Sequence, residues 1–176
     1  MNTGFGPFYD GLTHLFVTPE DLLPVIALAL LAGLRGPRFG RSVLFVLPVA
    51  WLVGSTAGVW IAPQPTLPGL EIILTIGLGA LLAADRSLPF AFVVSLATLL
   101  GLFHGILNGA ELSKEPSSGE MAAVVVMIGL FVLVSLLAGQ AASVRIPWMR
   151  VAMRVAGSWI AAIGLLMLGW AMRVQA

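Results

Sequence analysis

The chain has 176 residues, of which 59% are hydrophobic and only 10% charged, with a formal net charge of +1 and no cysteine. Soluble domains carry roughly a quarter charged residues, so this composition describes an integral membrane protein. The small net charge gives no basis for nucleic-acid binding, and the missing thiols exclude disulfides, thiolate metal sites and cysteine nucleophiles.

The first residues, MNTGFGPFYDGLTH, lack the basic start and apolar core of a cleavable leader, so none is expected. A transmembrane helix needs about 20 mainly apolar residues. Six such stretches are read at 21–35, 42–62, 67–84, 88–108, 120–142 and 148–172. The class is all-α, a single six-span membrane domain over 1–176. The gaps are punctuated by proline and glycine: RGPRFGR, APQPTLPG, ADRSLP, KEPSSGE and VRIPW. The first span is short. A short or re-entrant segment around His14, then a new helix after Thr18 and Pro19, fits its N-cap chemistry.

Loop charge sets the expected orientation. Arg35, Arg38 and Arg41 follow the first span, and Arg145, Arg150 and Arg154 surround the start of the sixth. By the positive-inside rule these ends are cytoplasmic, which puts both termini outside, in the periplasm of a bacterial inner membrane. Arg173 alone points the other way. Gly54 and Gly58, and Gly101, Gly105 and Gly109, give GxxxG faces on the second and fourth spans. Such faces let helix backbones approach closely in lipid, and they permit oligomers or a membrane-complex partner.

With this topology the polar residues collect at one end. His14, Glu20 and Asp21 open the first span, Glu71 lies one turn into the third, and His104, Asn108 and Glu111 close the fourth, all on the outer side. Residues 104, 108 and 111 share a helix face. A charge as deep as Glu71 is rarely kept in hydrocarbon without a partner or a task. Asp10, Glu115 and Glu120 read as solvated loop charges, Glu20 and Asp21 also suit a helix N-terminus, and His104 alone would pass for a packing histidine. Thr75, Ser95, Thr98 and Ser135 are the polar groups deeper in the spans, where hydroxyls ordinarily bond their own helix. Imidazole and carboxylate without thiolate form a ligand set for a borderline or hard divalent ion: nickel, cobalt, zinc or manganese.

Three segments resemble the HupE/UreJ membrane proteins, a family associated with hydrogenase and urease gene clusters and regarded as nickel or cobalt permeases. HLFVTPEDLL at 14–23 aligns with a first motif like H-P-L-x-G-x-D-H-L-L, LPGLE at 67–71 with L-P-G-V-E, and FHGILNGAE at 103–111 with F-H-G-x-x-H-G-x-E. His14, Glu71, His104 and Glu111 match their counterparts. Glu20 stands at the motif's aspartate, while Asp21 and Asn108 replace two family histidines. The resemblance implies transport of a divalent ion through a site of His14, Asp21, Glu71, His104 and Glu111, with Glu20 and Asn108 in support. An intramembrane metal-dependent hydrolase and a non-transporting accessory subunit are the alternatives.

Overall fold

A computed structural model describes residues 19–60, 68–112, 116–143 and 147–175; the side chains of 68, 111, 112, 116–123, 147, 174 and 175 are outside the described set. The described residues form six helices and no strand: α1 (Pro19–Leu34), α2 (Pro37–Trp60), α3 (Pro68–Ala84), α4 (Phe90–Leu112), α5 (Pro116–Ser143) and α6 (Pro147–Gln175). The expected segment around His14 lies outside the described residues.

Proline sets where the helices begin. Five of the six start on a proline, and α4 starts one residue after Pro89, whose carbonyl accepts from Phe92 and Val93. Proline at a first helical position loses no hydrogen bond and arrives with φ already near the helical value. This moves the start of α2 to Pro37, five residues before the expected 42, and carries it through the arginine-bearing turn. At the other end α4 continues to Leu112, past the expected 108, because nothing in NGAEL breaks the helix. Gly36, with φ of 108°, turns the chain sharply between α1 and α2, and its amide donates to the Gly33 carbonyl at 2.9 Å.

Segments within α2, α4, α5 and α6 are long and apolar enough to cross a membrane. The other two helices are shorter, at 16 residues for α1 and 17 for α3. At 1.5 Å per residue, α1 is about 24 Å long.

This short helix is the centre of the molecule. It packs against all five others, and Val25, Ala27, Leu28, Ala29, Leu31 and Ala32 have no exposed surface. Around it, α2, α4 and α5 pack on one another, and α3 packs with α6. In lipid the outer surface stays apolar, so close van der Waals fit, rather than removal of water, holds helices together.

The glycines supply that fit. A Cβ on Gly54 would come within 3.0 Å of the Gly105 Cα, and one on Gly105 would strike the Trp51 carbonyl. Gly58 meets the Ile106 carbonyl, and Gly109 meets that of Ser55. Both expected GxxxG faces are therefore used against each other inside one chain, which takes them out of contact between copies. In the second pair, Gly79 of α3 faces Gly157 of α6 at the same backbone range.

The arginine-bearing ends are tied by one carboxylate. Asp85 caps α3 with φ of 46° and accepts from Arg35 Nη2 at 3.0 Å and from Arg150 Nε at 2.6 Å. It thereby joins the ends of α1 and α3 to the start of α6. The Arg35 side chain is nine-tenths buried here, so it needs that countercharge. The hydrogen bond from Arg150 and the charges of Arg150, Arg35 and Arg154 outweigh burial and hold the Asp85 carboxyl below the usual range.

Two stability predictions follow from this packing. Gly79→Ala would push a methyl to 2.6 Å from the Ala161 backbone nitrogen. It should lower stability by about 1–3 kcal/mol. Gly77→Ala in the same helix meets nothing within 4 Å. It should be neutral or gain up to about 1 kcal/mol. Thermal unfolding in detergent distinguishes them. A native Asp85 pKa below the unfolded value means its contribution is complete above about pH 4. That contribution disappears as pH falls through the depressed native value, so the melting temperature of Asp85→Asn should converge on the parent's in acid and lie below it at neutral pH.

Candidate metal site

Asp21 is the third residue of α1 and His104 the fifteenth of α4, yet the two meet. His104 Nδ1 lies 2.7 Å from Asp21 Oδ1. Asn108, one turn further along α4, donates from Nδ2 to Asp21 Oδ2 at 3.3 Å and to the His104 carbonyl at 3.0 Å. His104 is followed by eight residues of α4, Leu112 included, so Asp21 meets it about 12 Å inside the end of that helix. The first turn of α1 brings Asp21 to that depth, where the positive end of the helix dipole favours a carboxylate.

The imidazole is fully enclosed. His104 has no exposed surface, and the Trp51 indole stacks on it with centroids 5.5 Å apart and planes 21° from parallel. Trp51 is held there by the glycines: its backbone nitrogen is 3.0 Å from where a Cβ on Gly101 would stand, and its carbonyl faces Gly105. These glycines flank His104 at three residues before and one after. Phe103 meets the ring edge-on.

The two ring nitrogens of His104 differ in role. Nδ1 is fixed on a carboxylate, whereas Nε2 is buried and has no hydrogen-bond partner among the described residues. A proton on Nε2 would be a buried donor without an acceptor, a state that costs about 1–3 kcal/mol. The arrangement favours the tautomer with its proton on Nδ1, facing Asp21, and a lone pair on Nε2. This is the carboxylate–histidine geometry that orients metal-ligating imidazoles and raises their basicity.

The other expected site residues are distributed as follows. Glu71 is half-buried in the first turn of α3, and its carbonyl accepts from the Thr75 hydroxyl at 3.0 Å. Glu20 is half-buried in the first turn of α1. Glu111 falls on the last turn of α4, and its side chain, like all of His14, lies outside the described residues. Among the described residues, no three His, Asp or Glu side chains gather closely enough to hold a metal ion. The structure thus joins Asp21, His104 and Asn108, and it adds Trp51, which the sequence reading did not single out. Its signal was present: Trp51 stands three residues before Gly54, on the turn that the GxxxG face brings against α4. Thr75 and Thr98 bond carbonyls of their own helices, as expected of hydroxyls in such spans.

An all-helical chain with four segments long and apolar enough to cross a bilayer has the character of an integral membrane protein. The family model for HupE / UreJ protein matches residues 1–167. The chain belongs to that family, which is generally linked to nickel or cobalt uptake or to urease and hydrogenase maturation. No curated protein and no solved structure matches the chain.

The hydrogen-bond assignment has a direct check. In 15N-histidine spectra of the parent, His104 should show a protonated Nδ1 and an unprotonated Nε2. Asp21→Ala removes the acceptor for both His104 and Asn108. It should erase that tautomer preference and lower stability by about 1–3 kcal/mol.

Proposed function

We propose that the protein carries a divalent transition-metal ion, nickel- or cobalt-like, across the bacterial inner membrane, and that His104 Nε2 is one of its ligands. In this reading all six helices span, the arginine-bearing ends are cytoplasmic, and both termini are periplasmic. The ion is cargo. The observation that carries the reading is the buried Nε2 nitrogen without a partner among the described residues, on a ring fixed through Nδ1 to Asp21.

The donor set fits such an ion. Imidazole nitrogen suits nickel, cobalt and zinc, and carboxylates at the outer helix ends supply charge compensation. Glu71, Glu111 and His14 complete the proposed set, with Glu20 at its rim. Asp21 takes a different part from that expected of a direct ligand. Its two oxygens already receive His104 and Asn108, so it orients the imidazole and balances the charge the ring acquires when loaded. Asn108 holds Asp21 in place where the family motif has a histidine. With two family histidines replaced by Asp21 and Asn108, the site is poorer in nitrogen than the family pattern, which favours harder ions such as manganese more than the family pattern does.

The test is uptake into proteoliposomes with nickel, cobalt, zinc and manganese supplied outside. His104→Ala and Glu71→Ala should each cut flux of the preferred ion by at least about tenfold, as loss of a ligand or its support does. Flux in both variants equal to the parent's would leave the non-transporting accessory role in its place.

A further inference from the structure

We infer that Trp51 is a positioning residue for the cation, its indole face holding the His104 ring and stabilising it once the ring carries the ion's charge. This rests on the reading of His104 as a ligand.

The chain has five tryptophans. Trp60, Trp148, Trp159 and Trp170 are at least 66% exposed, as expected of residues that face lipid or its interface, whereas Trp51 is 1% exposed. A tryptophan that only filled space at this position would be a costly choice. Its indole Nε1 is buried without a hydrogen-bond partner among the described residues, and a phenylalanine would fill most of the same volume with no donor to bury. What tryptophan offers beyond phenylalanine is the strongest quadrupole of the aromatic faces.

That face is where the charge would arise. The stack on His104 is near parallel at 5.5 Å. An imidazole bound to a divalent ion carries part of the ion's charge into the ring, and an aromatic face over a desolvated cation attracts it. The same contact fixes the ring plane, and with it the direction of the Nε2 lone pair, while Asp21 fixes rotation within that plane through Nδ1. Two restraints of different kind therefore set one ligand. Neither partner can drift, because the α2 and α4 backbones on which they stand touch through Gly54 and Gly105.

The graded series Trp51→Phe and Trp51→Leu separates this role from core filling. Each variant, together with His104→Ala, is purified, shown to be folded by its melting temperature, and titrated with nickel chloride and with cobalt chloride by calorimetry. Affinity should fall in the order of the aromatic face, about threefold for Phe and about 10- to 30-fold for Leu. A second readout is spectroscopic. Nickel or cobalt should quench a blue-shifted, buried component of the parent's tryptophan emission, and Trp51→Phe should lose that component. Parent-like affinity in folded Trp51→Leu, with His104→Ala still weak, would overturn the role of Trp51 alone. Parent-like affinity in His104→Ala would remove the ligand reading and this inference with it.

Discussion

The contact on which the rest depends is the backbone approach of α2 to α4. Five glycines, Gly54 and Gly58 against Gly101, Gly105 and Gly109, line the seam, so that main chain meets main chain along it. In lipid there is little gain from burying apolar area, and the energy of association comes from contact density. The same seam has a chemical consequence. It fixes Trp51 over His104, because the glycines that admit the Trp51 backbone are the neighbours of His104 in sequence.

The second constraint is the length of α1. A helix of 16 residues surrounded by longer ones must stop short of their ends on one side or the other. Gly36 and Arg35 tie its C-terminus to the level of the Asp85 cluster, so the shortfall appears at the opposite end. There the helix N-terminus and Asp21 stand inside the bundle, beside His104 rather than at its rim. Fixing one end of α1 by an ion pair therefore sets the depth of the polar group at the other end.

The two ends contrast in the partners their carboxylates meet. At one, Asp85 is matched by two arginines and its charge is spent in joining α1, α3 and α6. At the other, the Asp21 carboxylate meets an imidazole and an amide, and the second imidazole nitrogen has no hydrogen-bond partner among the described residues. A neutralised cluster holds helices together. A cluster with an unfilled acceptor is one that a cation can complete, and this asymmetry is why the ion-handling reading attaches to the His104 end.

Much of this was legible in the sequence because each signal is local. Apolar runs of membrane length, prolines at helix starts, and glycines four apart report on single helices, and their periodicity needs no partner to be read. The face shared by His104 and Asn108 follows from spacing alone. What the sequence left undetermined are the meetings between helices: that Asp21 reaches His104 across 83 positions, that Asp85 binds Arg35 and Arg150 rather than standing as an isolated loop charge, and that Trp51 covers the imidazole. Residue spacing fixes direction around one helix axis but says nothing of the relative depth of two helices. Here that depth is decided by where α1 begins and by which glycines touch, and these quantities exist only once the chain is folded.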